Sequence, residues 1–242
     1  MESIFLSVVI PVYDEEAALE KVIRDHIYIL QTIHDSLRDW EIVCLDDAST
    51  DRSLEILKRL SATETRLKVI RHERNRGIYE SFNDLFHSAK GDYIYATASD
   101  GQWPAENLVR LLRASLNGNY DLVIGVRKNR REIYSIWRRL LSFLFNWLPM
   151  LIFGVRTEDA NSIKFGKREL FTIQLLSNSF FAEVERIIEA NRNGKNVGFE
   201  PIEFLPRGTG KASGAKWRNI WSTLRDLCGY TLKRGTFIKI KA

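Results

Sequence analysis

The stretch SVVIPVYDEEAALEKVIRDHIYILQTI, residues 7–33, carries the fold in miniature. Its opening run is apolar and β-branched with no alternation of polar residues, which predicts a strand covered on both faces. An acidic loop, Asp14-Glu15-Glu16, follows, and from Ala17 the apolar residues recur at helical spacing. Outward from this unit the alternation repeats. WEIVCLDD (40–47), LKVIRH (67–72), DYIYATA (92–98) and YDLVIGVR (120–127) read as strands. RSLEILKRLS (52–61), IYESFNDLFHSAK (78–90) and AENLVRLLRASL (105–116) read as the helices between them. Strands alternating with helices imply an α/β fold, a mostly parallel sheet with helices on both faces. Ligands bind such sheets beyond the carboxyl ends of the strands, where the strand order reverses.

The residues just after each strand are polar. They are Asp14-Glu15-Glu16, then Asp46-Asp47-Ala48-Ser49-Thr50-Asp51, then Arg74-Asn75-Arg76-Gly77, then Ser99-Asp100-Gly101-Gln102. Helix capping accounts for any one of these loops, and Asp51 before a helix is a good cap. It does not account for Asp46 beside Asp47, two like charges that repel unless a ligand or cation uses them. After residue 130 the alternation stops. An aromatic run, 133–153, leads to a polar segment, RTEDANSIKFGKREL (156–170), a helix over 182–194, a strand over 197–204, a basic Gly-rich loop at 207–216 and an amphipathic run at 217–232.

Of the 242 residues, 45% are hydrophobic and 28% charged, a globular composition that excludes disorder. The net charge of +5 points to an anionic partner and gathers in RKNRR (127–131), Arg138-Arg139 and the C-terminal tail. Cys44 and Cys228 read as reduced core thiols, as expected for a cytosolic face. The first apolar run lacks a basic lead and a cleavage site, so no signal peptide is expected. The apolar stretch at 140–155 falls short of the roughly 20 residues of a membrane-spanning helix. It reads as interfacial.

SVVIPVYDEE, LDDASTD, NRG and SDGQWP together resemble family 2 glycosyltransferases with the Rossmann-like GT-A fold, over about Ser7 to Trp217. The likeness is strongest to the polyprenyl-phosphate sugar transferases of the dolichol-phosphate mannose synthase group. It rests there on SDGQWP, GVRKNRR and RGTGK. The resemblance implies a nucleotide-sugar site at Pro11, Tyr13, Glu15, Asp46, Asp47, Gly77, Ser99 and Lys211, with Asp46 reading the base. It implies a Mg2+ or Mn2+ ion on Asp100 and Gln102, completed by diphosphate oxygens. In the family pattern Asp-x-Asp-x-Gln, Ala98 stands in place of the first Asp. Catalytic roles fall on Asp100, on Arg207 at the leaving diphosphate and on Arg127. Arg127, Arg131 and Ser162 match the side that holds an acceptor phosphate, where arginine's planar fork suits phosphate oxygens. The family's Gly-x-Ser-Lys pattern is broken at Gly210-Lys211-Ala212-Ser213, which shifts the register of Lys211.

The leading expectation is an inverting transferase that moves a sugar from a UDP- or GDP-sugar to a dolichyl or undecaprenyl phosphate. It would sit peripherally on the cytoplasmic face of a membrane with no transmembrane helix. A lipid phosphate is already anionic and needs no general base, whereas a hydroxyl acceptor does. The alternative, a saccharide or other hydroxyl acceptor, would make Asp159 that base. A third reading is a non-catalytic nucleotide-sugar-binding protein. No nucleic-acid partner is expected, because the basic residues sit with aromatic helices and no recognition motif is present. Domain boundaries are expected at 1–215 for the transferase, with an interfacial insertion near 133–155, and at 216–242 for an amphipathic helix and basic tail. Trp217, Ile220, Trp221, Leu224 and Leu227 are expected on one side of that helix, facing a membrane, the core or a second copy in a homo-oligomer.

Overall fold

The computed structural model describes residues 4–128, 147–206 and 217–235. The opening stretch forms β1 (Ile4–Val12), almost wholly buried, and α1 (Leu19–Thr32). Leu19, Val22, Ile23, His26, Ile29 and Leu30 line α1's buried face at three- and four-residue spacing. Then follow β2 (Leu37–Asp46), α2 (Ser53–Ser61), β3 (Leu67–Arg71), α3 (Ile78–Ser88), β4 (Tyr93–Ala96), α4 (Glu106–Gly118) and β5 (Leu122–Arg127). Every strand and helix expected in this half is present.

The second half supplies β6 (Lys164–Lys167), α5 (Phe181–Arg192), β7 (Val197–Ile202) and α6 (Trp217–Arg234). The sheet runs β3-β2-β1-β4-β6-β5-β7. Among the described residues only β6 is antiparallel to its neighbours, β4 and β5; the other pairs are parallel. The sequence reading placed β6 inside a polar segment and missed it. At Gly166 the sheet closes too tightly for a side chain, because a Cβ would meet the Asp121 carbonyl at 2.6 Å. The strand order reverses beside β1, whose neighbours are β2 and β4. The carboxyl ends of β1, β2 and β4 therefore converge on one cleft.

Two cores sandwich the sheet. One gathers α1, α2 and α4 on Leu6, Val8, Ile10, Ile42 and Cys44, and the other gathers α3 and α5 on Val9, Val43, Leu45 and Ile94. Cys44 is buried as expected. Cys228 is exposed, correcting the core reading, because α6 turns it away from the body. The stripe expected along α6 is likewise split. Leu227 and Tyr230 pack on the core, Tyr230 against Phe153 and Phe181, while Trp221 and Leu224 are exposed. The side chain of Trp217 lies outside the described residues. The helical turns at 147–153 bury Phe153 and expose Trp147, Leu148, Met150 and Leu151. The rest of the expected interfacial insertion lies outside the described residues. Among the described residues no helix is long and apolar enough to cross a membrane.

Candidate active site

The loops after β1 and β2 lock together through their carboxylates. Asp14, in the left-handed region at φ 52°, accepts the Thr50 N–H at 2.7 Å. Asp51 accepts the N–H groups of Glu16 and Ser53, both at 2.9 Å, but the N-cap of α2 is Arg52, so Asp51 tethers the loop ahead of the helix and is not its cap. Glu16 returns a contact to the Arg52 N–H at 3.0 Å, and Glu15 is anchored by its N–H on the Ser53 hydroxyl. Tyr13 stands half-exposed where this loop leaves β1, and Pro11 is buried.

Asp46 and Asp47 are handled separately. Asp46 is fully buried; its Oδ1 accepts a long 3.4 Å bond from the Ser49 N–H. Its Oδ2 lies 3.6 Å from Arg71 Nε, too far for a hydrogen bond, and has no hydrogen-bond partner. Asp47 has three partners: His72 Nδ1 at 2.6 Å and the N–H groups of Arg76 and Gly77, both at 2.8 Å. Burial works to raise the Asp47 carboxyl, but these N–H groups and His72 hold it below the usual aspartate value. Asp47 thus shapes the Arg74–Gly77 loop, and Gly77 is required there because its backbone has φ 88° and ψ 166°. His72 reaches onward to Asp84 at 2.9 Å, and Arg76 clasps Asp84 and Glu80. Nothing in LKVIRH distinguished His72 as that link.

Beyond β4, the buried Ser99 hydroxyl donates to the Pro11 carbonyl at 2.8 Å and binds this loop to β1. Asp100 Oδ1 accepts the Gln102 N–H at 3.1 Å. Gln102 donates its Nε2 to the Leu205 carbonyl at 3.1 Å. Asp100 and Gln102 sit on one turn, and each side chain carries an oxygen of the hard type that Mg2+ or Mn2+ takes. Among the described residues no group of three or more His, Cys, Asp or Glu is placed to hold a metal. A cation here needs further oxygens from a bound diphosphate, and two donors on one turn fit that arrangement.

On the far side of the loop, Arg127 at the end of β5 is clamped. Asp159, buried and at φ 53°, accepts the Arg127 N–H at 3.0 Å, Nε at 3.0 and 3.2 Å, and Nη2. The guanidinium also lies over the rings of Trp103 and Phe204, at 5.5 and 5.2 Å. The Ser162 N–H returns to the Asp159 carbonyl at 2.8 Å, and the buried Ser162 hydroxyl has no hydrogen-bond partner. Arg131, Arg207 and Lys211 lie outside the described residues.

A buried charge cluster that sequence reasoning missed adjoins Ser162. Lys164 Nζ donates to the Ser162 carbonyl at 2.8 Å and pairs with Glu183 at 3.1 Å, which also pairs with Arg186 at 3.3 Å. Burial pushes the Lys164 ammonium below its ordinary value despite Glu183. Burial works to raise Glu183, but Lys164 and Arg186 hold it below the usual carboxylate value. In sequence these charges look like a solvated helix face and a polar loop. Only the crossing of α5 over β6 buries them.

The sheet order, with one antiparallel strand between β4 and β5 and acidic loops gathered where that order reverses, is that of the GT-A glycosyltransferases. The chain belongs to glycosyl transferase family 2, whose family model matches residues 7–175. It is similar to undecaprenyl-phosphate 4-deoxy-4-formamido-L-arabinose transferases. It is 35% identical over 155 residues to that of Pseudomonas paraeruginosa, covering 64% of this chain and 44% of the relative. It is 28% identical over 216 residues to that of Pseudomonas syringae pv. syringae, covering 83% and 62%. The chain thus spans less than two thirds of the length of these relatives. Among solved structures it resembles mannosyl-3-phosphoglycerate synthase from Rubrobacter xylanophilus, with a TM-score of 0.76 at 15% identity over 99% of this chain and 77% of the other. It also resembles glucosyl-3-phosphoglycerate synthase from Mycobacterium tuberculosis, in a complex with Mn2+, UDP and phosphoglyceric acid. That TM-score is 0.67 at 21% identity, covering 93% and 79%. At these identities the likeness is one of fold.

Proposed function

We propose that this glycosyltransferase moves a sugar, with inversion, from a nucleoside-diphosphate sugar to a polyprenyl phosphate at a membrane surface. The observation that carries this reading is the Arg127–Asp159 clamp. A hydroxyl acceptor needs a basic carboxylate beside it. Asp159, the candidate for that work, is buried and bonded by its side-chain oxygens to an arginine. An acceptor phosphate is already a nucleophile, and an arginine held on two aromatic rings is suited to orient it.

The nucleobase edge is assigned to Asp46, whose Oδ2 has no hydrogen-bond partner, with Tyr13, Pro11 and Glu15 around it. Asp47, Gly77 and Ser99 hold the loops that surround the donor. Asp100 and Gln102 would hold Mg2+ or Mn2+ against the diphosphate. When bound, such a cation neutralises the charge that grows on the leaving group. Arg127 and Ser162 position the acceptor so that one phosphate oxygen attacks the anomeric carbon. The bond to the nucleoside diphosphate breaks, and its electron pair leaves with that group. Arg131, Arg207 and Lys211 are assigned supporting contacts to the two phosphate groups. The names of the relatives support undecaprenyl phosphate as an acceptor. The exposed Trp147, Leu148, Met150 and Leu151 and the exposed Trp221 and Leu224 support peripheral membrane attachment.

The test offers UDP- and GDP-sugars with Mn2+ to the chain beside undecaprenyl phosphate in detergent or a panel of saccharides. Sugar phosphate ester formed on the lipid, and none on the saccharides, is the expected outcome. Transfer to a saccharide hydroxyl with no lipid product refutes the reading.

A further inference from the structure

The C-terminal helix α6 presents two faces. Trp221, Leu224 and Arg225 are exposed, and Trp221 and Leu224 belong to the surface assigned above to the membrane. The inner face carries Thr223, Leu227 and Tyr230, all buried, together with Asp226, whose side chain is 10% exposed. Tyr230 meets Phe153, so the helical turns at 147–153 pack on α6.

Asp226 begins a chain of bonds that runs from this inner face to the donor site. Its Oδ2 accepts the Asn178 N–H at 3.1 Å, while Oδ1 pairs with Arg225. The Asn178 side chain donates Nδ2 to Glu80 Oε1 at 2.9 Å. Asn178 thus donates to a carboxylate on each side, once from its backbone and once from its amide, and bonds to charged acceptors are the stronger kind. Glu80 Oε2 pairs with Arg76 Nη2 at 3.1 Å, and Arg76 Nη1 pairs with Asp84 at 2.6 Å. The Arg76 N–H, with that of Gly77, binds Asp47 in the loop that surrounds the donor. Tyr79 meets Phe180 edge-on at 5.6 Å, which holds α3 to the segment that carries Asn178.

We infer that Asn178 is a positioning residue of the donor site, through which a membrane bound to α6 tightens the loop around the nucleoside diphosphate. Trp221 and Leu224 lie on α6, and Trp147, Leu148, Met150 and Leu151 lie on the turns packed against it. A lipid surface that takes both sets at once binds the docked helix better than an undocked one, and only such a difference shifts an equilibrium. Docked, α6 holds Asn178 on Glu80, and Glu80 in turn holds Arg76 where its N–H reaches Asp47. Linkage makes the effect mutual, so the nucleoside diphosphate strengthens vesicle binding by the same factor. The inference rests on the nucleotide-sugar and membrane readings above and adds a coupling between them.

The test titrates the chain with UDP and with GDP, each with Mn2+, by calorimetry with and without vesicles of phosphatidylcholine and phosphatidylglycerol. Co-sedimentation reads vesicle binding in parallel. The nucleoside diphosphate that binds is expected to do so about fivefold more tightly on vesicles. Asn178→Ala removes the amide. Asn178→Asp keeps the shape and the N–H bond to Asp226 but sets a carboxylate against Glu80. Each is expected to keep vesicle binding and to erase that gain. A merely structural role for Asn178 would lower the melting temperature and weaken nucleotide binding alike with and without vesicles, and that result overturns the inference. Equal affinities on and off vesicles in the unsubstituted chain overturn it as well and leave both readings standing. A chain that stays off the vesicles refutes the membrane reading, and failure of both nucleoside diphosphates to bind refutes the nucleotide-sugar reading; either result takes the inference with it.

Discussion

Asp159→Asn separates a clamp from a base. The Asp159 side chain is 2% exposed and the Arg127 side chain 16%, and the carboxylate accepts from the Arg127 N–H, Nε and Nη2. Stripping one charge from a buried pair costs about 3–5 kcal/mol. Asparagine keeps the shape and one acceptor oxygen, so about 2–3 kcal/mol is expected here. In a chain of this size each kcal/mol moves the melting temperature by roughly 2–4 °C, which gives a fall of about 4–12 °C. Arg127 then loses its fixed orientation, and the KM for the phosphate acceptor rises while donor affinity holds. Loss of a general base instead lowers kcat by about 10²–10⁴ with little effect on stability. Thermal denaturation and initial rates on one variant therefore decide the matter. An unchanged melting temperature and acceptor KM, with kcat down a hundredfold or more, refutes the clamp.

Three other outcomes follow from the same geometry. Asp100→Ala is expected to weaken Mn2+-dependent binding of the nucleoside diphosphate by more than about tenfold, and calorimetry that finds the affinity intact removes Asp100 from the cation site. Gly77→Ala forces a side chain onto φ 88°, ψ 166° and is expected to cost about 1–3 kcal/mol; the added Cβ meets nothing within 4 Å, so an unchanged melting temperature would show that the backbone conformation is not demanding. The Asp47 carboxyl is lowered in the folded state, so its stabilisation is complete above the ordinary aspartate value and is lost as pH falls through the lower, folded one. Asp47→Asn is therefore expected to flatten the loss of stability on acidification below about pH 4, and parallel melting curves for the two proteins between pH 5 and 3 would contradict this.

Much of the fold was legible because buried parallel strands and amphipathic helices leave periodic patterns in the chain. SVVIPV, WEIVCLD and the spacing of Leu19, Val22 and Ile23 depend only on which faces meet water. The loops that close the cleft were legible as polar residues at strand ends. Their division of labour was not. Asp46 and Asp47 are adjacent letters, yet one lacks hydrogen-bond donors at Oδ2 and the other is bonded to three groups from residues 72–77. β6 escaped because Lys164 and Lys167 flank only two residues, and no apolar run marks a four-residue strand held by neighbours on both sides.

By itself the chain's order of residues determined an alternating α/β sheet with acidic loops at its carboxyl edge, since hydrophobic periodicity is a local property of a chain in water. Tertiary structure alone decided that Asp159 clamps Arg127 and that Lys164 and Glu183 lie buried together. Each of these depends on bringing segments far apart in sequence to within bonding distance, where burial, not residue type, sets what a charge must find as its partner.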